Sequence, residues 1–578
     1  MATIATQLIS ALARSGVQRV YGLPGDSLNG FTDAIRRSGV VTWEHVRHEE
    51  TAAFAAAADA ALTGRLAVCA GSCGPGNLHL VNGLFDAQRS RVPVLAIAAH
   101  IPRNEIGSEY FQETHPQELF RECSVYCELV STPEMAPRIF EMAMRAAVEE
   151  NGVAVVVVPG EIFLAPGSET GWLAKSIEAT RSVIRPDEVS LRQAAQILND
   201  GERVTILGGA GVQGAHDELV RLAGTLNAPV VHALRGKEFI EYDNPYDVGM
   251  TGLLGFASGY KAIKEADTLL MLGTDFPYQQ FYPKDARIVQ VDVRGRNLGR
   301  RTPIDLGLVG TVADTCDALQ PLLVQKQDRT HLDRSLRHYV KTRKSLDGLA
   351  VNDRDKTPIR PEYVAGLANE LATDDAVFTV DVGSPVVWAA RYLKMNGKRR
   401  LVGSFNHGTM ACALPHAIGA QTAFPDRQVI ALAGDGGLAM AFGELITLIQ
   451  NRLPVKVIVF NNSSLNFVEL EMKAAGIVNF GTDLTNPDFA AVGRALGAFG
   501  RRVEHPGELK EALSEAFAHD GPAIVDVVTA RQEMSVPPAI SAEQAKGFSL
   551  YAIRTIMAGR ADELLDLVTT NVARRILD

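Results

Sequence analysis

Cysteine is scarce in this chain: six residues in 578, too few for the disulfide framework of a small secreted domain. Cys69/Cys73 and Cys123/Cys127 share one spacing. Yet Cys69 sits in the apolar run Leu66–Ala70, and the usual zinc spacing and nearby partners are missing. These thiols read as small core residues of a protein kept in a reducing compartment. A basic excess is also lacking, since 57 Lys and Arg face 67 Asp and Glu for a net charge of -10. That balance argues against a nucleic-acid coat. No basic segment precedes an apolar run near the start, where the first charge is Arg14, so no secretion signal is expected. Hydrophobic residues at 46% and charged residues at 21% exclude disorder, collagen and coiled coil. The length is too great for one core and implies three or four domains.

Charge is missing altogether from two stretches, 66–85 and 401–425. Each is long enough to span a bilayer. The first holds Gly71, Gly74, Pro75, Gly76, Asn77 and His79; the second holds Asn406, His407, Gly408, Pro415 and His416. Such breakers and polar groups make a poor lipid-facing helix. Both stretches read as buried strands and glycine loops, where ligands tend to lie.

What is present is alternation. Short β-branched runs (Arg19–Tyr21, Val92–Ala98, Val153–Val158, Val204–Leu207, Thr268–Leu272, Ile288–Val293, Val429–Leu432, Val455–Phe460) are separated by Ala- and Leu-rich amphipathic segments. Continuous apolar strands between helices predict an α/β fold with doubly wound parallel sheets. Segments 159–188 and 325–361 collect Gly, Pro and charge and read as linkers. The expected division is 1–180, 181–335 and 336–540, followed by a tail at 541–578.

The strongest local signal is Val429–Gly437, a buried strand that ends in Gly434-Asp435-Gly436-Gly437 and enters a helix. A second buried strand ends in Asn461-Asn462, placing Asn462 twenty-seven residues after Asp435. In a parallel sheet both strand ends share one edge. Oxygen ligands, glycine backbone and a helix N-terminus together suit Mg²⁺ holding a diphosphate. Alone, Gly-Asp-Gly reads as a turn and Asn-Asn as a cap.

Together these residues resemble the signature of thiamine-diphosphate enzymes, and the N-terminal third supplies a matching half in Arg47-His48-Glu49-Glu50 and Gly71-Ser72-Cys73-Gly74-Pro75-Gly76. The resemblance implies that Glu49 contacts the aminopyrimidine ring. A carboxyl group shielded from water shares a proton readily with a weakly basic ring nitrogen. The resemblance also implies that Met410 wedges beneath the cofactor beside Gly408 and Thr409. Asp435, Asn462 and Ser464 would hold Mg²⁺, with Gly436, Gly437, Ser463, Leu465, Asn466, Phe467 and Val468 completing the pocket.

Tyr110–Thr114, Asp381–Gly383, Ser404–Gly408 and Lys546–Tyr551 narrow the resemblance to the bacterial pyruvate:quinone oxidoreductases, the acetate-forming pyruvate oxidases. By that match Phe111, Gln112, Val382, Phe467 and Glu471 surround the reacting group. Asn466 stands where a glycine is expected, and Asn accommodates left-handed backbone. Glycine turns in the middle third are those a dinucleotide needs, although none is a clean G-x-G-x-x-G. The resemblance assigns FAD to Thr251, Gly252, Leu253 and Leu254, to Gly273, Thr274, Asp275, Phe276 and Pro277, and to Asp292. In the tail, Ala561, Leu564, Leu565, Val568, Val572 and Ile576 share one helical face. That face reads either as a helix packed on its own domain or as one lying on a membrane, and the resemblance favours the membrane.

The resulting expectation is oxidative decarboxylation of pyruvate to acetate and CO₂, with electrons passing through thiamine diphosphate and FAD to a membrane quinone. The enzyme would be a cytoplasmic homotetramer docked peripherally on the inner face of the plasma membrane through phospholipid. Acetolactate synthase, a phosphate- and oxygen-dependent pyruvate oxidase and a non-catalytic flavin-binding sensor are the alternatives.

Overall fold

The computed structural model describes residues 2–167, 176–177, 180, 182–351, 357–531, 550–552 and 554. Three six-stranded sheets follow one another along the chain, and every strand pairing within them is parallel. The first contains β1 (Arg19–Gly22), β2 (Thr42–His45), β3 (Ala67–Gly71), β4 (Val94–His100), β5 (Tyr126–Leu129) and β6 (Val153–Pro159). The second contains β7 (Val204–Gly208), β8 (Val230–His232), β9 (Asp247–Met250), β10 (Thr268–Leu272), β11 (Arg287–Asp292) and β12 (Leu306–Val309). The third contains β13 (Val377–Val380), β14 (Arg400–Gly403), β15 (Val429–Gly434), β16 (Lys456–Asn461), β17 (Phe499–Val503) and β18 (Ala523–Val528). All seven residues of β4 and of β6 are buried, as helices on both faces of a parallel sheet require.

The outer two sheets share one topology. Their orders are β2-β1-β3-β4-β6-β5 and β14-β13-β15-β16-β18-β17. In each, the order reverses between the first and third strands, where a doubly wound sheet opens a crevice at its carboxyl edge. The middle sheet runs β9-β8-β7-β10-β11-β12, the arrangement of dinucleotide-binding domains.

The first and third units pack on a common core. The Glu49–Thr63 helix lies against the Ala413–Ala423 helix, and Ala52, Ala56, Leu84, Ala417, Ile418 and Leu445 belong to one buried cluster. The two uncharged stretches are therefore mostly buried or half-buried. Each contributes a strand, a glycine loop and a helix: β3 with Pro75–Ser90, and β14 with Ala413–Ala423.

Segment 325–361, read from its charge as a linker, instead contains a twenty-residue helix, Thr330–Leu349. The division drawn at 335 falls inside it. Its polar face is solvated, while buried His331 and Leu332 fix the other side to the middle unit, with His331 Nε2 2.9 Å from Thr205 Oγ1. A narrow apolar stripe in a charged segment suffices when a partner surface is waiting. No helix among the described residues is long and apolar enough to cross a membrane. The apolar face expected at 561–576 lies outside the described residues.

Candidate active site

The crevice of the third sheet lies between β13 and β15, and the Asp435 motif stands there. Asp435 opens the Asp435–Met440 helix and is buried. Its Oδ2 accepts from the backbone N–H of Asn462 (3.1 Å) and Ser463 (2.7 Å), and its Oδ1 from Gly436 N–H (2.8 Å). Burial pushes this carboxyl up, and those donors pull it back. Asn462 Oδ1 accepts from Ser464 N–H at 3.0 Å. The Ser464 hydroxyl donates to Glu469 at 2.5 Å, and its main-chain carbonyl is a further oxygen it can offer a cation. The left-handed residue of this loop is Ser463, at φ 55°. Asn466 is instead the first residue of the Asn466–Ala474 helix, so its side chain is not needed for left-handed backbone. It donates to the carbonyl of Arg531 at 2.6 Å and is bonded to Ser384 Oγ at 2.9 Å.

Met410 lies beside this motif. A Cβ on Gly436 would stand 3.0 Å from Leu465 and 3.9 Å from the Met410 methyl, so Met410, Gly436 and Leu465 border one space that a side chain would fill. Gly408 adopts φ +84° with nothing within 4 Å of where a Cβ would be, and Thr409 Oγ1 donates to the Met410 carbonyl at 2.9 Å. Asp381, at the end of β13 and 2% exposed, accepts from Ala413 N–H (2.8 Å) and Gly434 N–H (3.0 Å). It ties the Met410 loop to the Asp435 turn, and a Cβ on Gly437 would lie 2.3 Å from its Oδ2. Burial raises the Asp381 carboxyl to about 6. Val382 follows it at the pocket rim, half-buried.

Sequence reasoning missed the support behind Asp435. Asn486 Nδ2 lies 2.8 Å from Asp435 Oδ2 and 2.9 Å from Asn461 Oδ1. Asn461 in turn donates to Asp526 (2.9 Å), which also accepts from Arg502 (2.8 Å). No local motif marks these residues, because the partners come from separate segments of the chain.

The other half of the site surrounds Glu49, which opens its helix and is 5% exposed. Its Oε2 lies 2.9 Å from His79 Nδ1, and the His79 ring stacks on His48 with centroids 4.2 Å apart. These three residues are the one His/Cys/Asp/Glu group among the described residues whose ligand atoms converge within 4.8 Å. A Cβ on Gly76 would stand 3.0 Å from Glu49 Oε1, so a side chain there would crowd the carboxylate. Gln112 holds left-handed backbone at φ 62°, packed on Gly74, and accepts from the Cys73 thiol at 3.3 Å. Phe111 is 77% exposed, enclosed by none of the described residues. Phe467 is half-buried on its helix and Val468 is exposed. Glu471 is exposed too, and its charge reaches Tyr278 of the middle unit.

In the middle unit, Gly209 and Gly211 after β7 meet Gly273 after β10. A Cβ on Gly211 would stand 2.6 Å from Gly273 Cα. Thr251 is buried and its hydroxyl has no hydrogen-bond partner; Gly252 next to it adopts φ +99°. Leu253 and Leu254 are half-buried. Thr274 and Phe276 are buried, Pro277 is exposed, and Asp275 pairs with Arg300 and Arg301. Asp292 ends β11, where its Oδ1 accepts from Arg294 N–H (2.8 Å) and Asn297 Nδ2 (3.0 Å).

The chain thus holds three α/β units, with a buried aspartate at one switch point and a buried glutamate at the corresponding edge of another. The chain matches the thiamine pyrophosphate enzyme N-terminal TPP binding domain over residues 2–119, the central domain over 191–319, and the C-terminal TPP binding domain over 381–527. It belongs to the thiamine-diphosphate-dependent enzyme family. Among its relatives, YdaP of Bacillus subtilis, described as a thiamine pyrophosphate-containing protein, is 36% identical over 98% of each chain. The pyruvate oxidase of Lactiplantibacillus plantarum is 29% identical over 90% of this chain and 87% of its own. A protein of Methanocaldococcus jannaschii described as an acetolactate synthase large subunit is 30% identical over 92% of this chain and 93% of its own.

Proposed function

We propose that this enzyme oxidatively decarboxylates pyruvate, converting pyruvate, water and a membrane quinone into acetate, CO₂ and quinol. The carrying observation is how the middle unit meets the Asp435 unit. Arg391 Nε donates to the Leu254 carbonyl at 3.1 Å, which joins loop 251–255 to the Ser384–Tyr392 helix. Ser384 Oγ, at the start of that helix, bonds Asn466 Oδ1 at 2.9 Å beside Phe467. A redox group held at Thr251–Leu254 would therefore adjoin the structure that carries Val382 and Phe467, as direct electron transfer from the substrate requires.

The residues present fit the cofactors. Met410, Gly436 and Leu465, which lie together, would border the two rings, while Asp435, Asn462 and the Ser464 carbonyl form an all-oxygen set suited to Mg²⁺. The unpartnered Thr251 hydroxyl, the Gly209–Gly211–Gly273 junction and Asp292 at a strand end suit FAD. When bound, thiamine diphosphate supplies the carbon nucleophile and electron sink, and FAD accepts two electrons.

The chain's own residues do the rest. Glu49 is shielded from water and would bond the aminopyrimidine ring, with His79 orienting its second oxygen. Asp381 keeps the Met410 loop at a constant height above the Asp435 turn. Gln112, pinned by Gly74 and Cys73, faces the pyruvate polar groups, while Phe111 and Phe467 exclude water. Phe111 is open among the described residues; a second copy covers it, and two such dimers make up a homotetramer. The tail 541–578 docks on phospholipid at the inner face of the plasma membrane, where quinone is dissolved.

The test is anaerobic flavin bleaching by pyruvate with thiamine diphosphate and Mg²⁺ present, followed by product analysis. Bleaching with acetate as product is expected, and Glu49→Gln slows it by on the order of 100-fold or more. Acetolactate as the main product would reassign the chain to carboligation. Acetyl phosphate formed with oxygen consumption would reassign it to the phosphate-dependent oxidases. Absence of any turnover would leave a binding protein.

A further inference from the structure

The helix that presents Glu49 is unusually smooth. Eight of the thirteen residues from Glu50 to Leu62 are alanine, and the helix is buried along nearly its whole length. Neighbours come close on both sides: a Cβ on Gly83 would stand 2.5 Å from Ala53 Cβ, and one on Gly419 would stand 2.1 Å from the Ala55 carbonyl oxygen. Such contacts hold a helix at a set distance. They restrain it weakly along its axis, because alanines offer few knobs for neighbouring holes. Phe54, edge-on to His416 at 5.4 Å, is the one large side chain near its middle.

Both ends of this helix are gripped from the third unit. At the N-terminus stands Glu444, 2% exposed, whose two carboxylate oxygens lie 3.1 and 3.3 Å from Arg47 N–H. The same carboxylate accepts from Thr447 Oγ1 at 2.6 Å and is also bonded to His48 N–H and the Thr51 hydroxyl. Asn451 Nδ2 adds a bond to the His45 carbonyl at 2.9 Å. At the C-terminus, Arg400 donates to the carbonyls of Ala61 and Leu62, each at 3.4 Å, and is itself anchored by Glu238 at 2.8 Å. A carboxylate at the positive end and a guanidinium at the negative end both oppose the helix dipole favourably. Glu444 follows Asp435 by nine residues, so one short segment carries both the metal-site aspartate and the grip on the Glu49 helix.

We propose that Glu444 and Arg400 are positioning residues that set the axial register of the Glu49 helix and so aim the Glu49 carboxyl at the aminopyrimidine ring, an inference that rests on the reading of Glu49 given above. The third unit thereby dictates where the first unit's carboxyl lies.

Glu444→Gln keeps the shape and one accepting oxygen but removes the charge; Arg400→Met removes the grip at the opposite end. In the apoprotein, amide hydrogen exchange of peptides spanning 45–52 is expected to accelerate in Glu444→Gln. In the loaded enzyme, hydrogen–deuterium exchange at the thiazolium C2, read by quenched NMR, is expected to slow by on the order of 10- to 100-fold, with thiamine diphosphate affinity little changed. Unchanged C2 exchange, or a lowered Tm alone, overturns the proposal. Glu49→Gln serves as the reference. If Glu49→Gln slows C2 exchange and Glu444→Gln does not, the positioning role fails. If neither does, the reading of Glu49 itself fails. Should Glu444→Gln not fold, Arg400→Met carries the same measurements, with amide exchange followed at 58–64.

Discussion

The close approach of Gly419 to the Glu49–Thr63 helix makes a quantitative prediction. Replacing Gly419 with alanine would place a methyl group 2.1 Å from the Ala55 carbonyl oxygen, 2.7 Å from its carbon and 2.8 Å from Ala55 Cα. A relaxed carbon–oxygen contact is about 3.3 Å, so the two helices must part by about 1 Å. The obstacle is backbone and cannot rotate away. A gap of that size forfeits a quarter to a half of the dispersion energy at each contact, and overpacking of this kind costs about 1–3 kcal/mol. Because the 2.1 Å obstacle is backbone, the cost falls at the upper end of that range. Alanine recovers about 1 kcal/mol in helix propensity, leaving a net loss of about 2 kcal/mol. Calorimetry at one scan rate should show Tm lowered by about 4–8 °C. Gly443→Ala is the control, because a Cβ there meets nothing within 4 Å and its backbone, at φ -57°, is right-handed; its Tm should hold or rise slightly. A Gly419→Ala protein as stable as the parent would refute the claim that this crossing is limited by backbone contact.

Two further predictions address the metal site and a buried carboxyl. Asn486→Ala removes the amide between Asp435 and Asn461 and should weaken Mg²⁺ affinity about tenfold, as loss of a ligand's supporting partner does; a Mg²⁺ titration at saturating thiamine diphosphate reads it, and an unchanged midpoint refutes it. Burial, then repulsion from Glu241, raises Asp247 to about 8, while burial lowers nearby His232 to about 4. The folded protein keeps the Asp247 proton that the unfolded chain releases above about pH 4, so this group's contribution falls as pH rises toward 8. His232 opposes the fall below its unfolded value of about 6.5. Together these two groups should lower stability as pH rises from 6.5 to 8, by roughly 1 kcal/mol per unit. Asp247→Asn should flatten that window in denaturant titrations, and a parallel decline in the variant would rule out Asp247 as its source.

The strands were legible because parallel-sheet interiors demand uninterrupted apolar runs; Val153–Val158 and Thr268–Leu272 reappear as β6 and β10 with their edges shifted by no more than one residue. The turn at Asp435 was legible because its glycines are contiguous in sequence and follow the apolar run that forms β15. The helix Thr330–Leu349 was not, since its charge describes the solvated face and the buried His331 contact depends on Thr205, 126 residues away.

Composition and local pattern thus determined the α/β class, the strand ends and the residue types that would meet a diphosphate. Tertiary structure alone decided which groups hold those residues in place. Arg47 and Glu444 are 397 positions apart, and Asp381 and Gly434 are separated by 53. A buried carboxylate must find donors wherever packing supplies them, and that supply depends on how whole units meet, which no local spacing encodes.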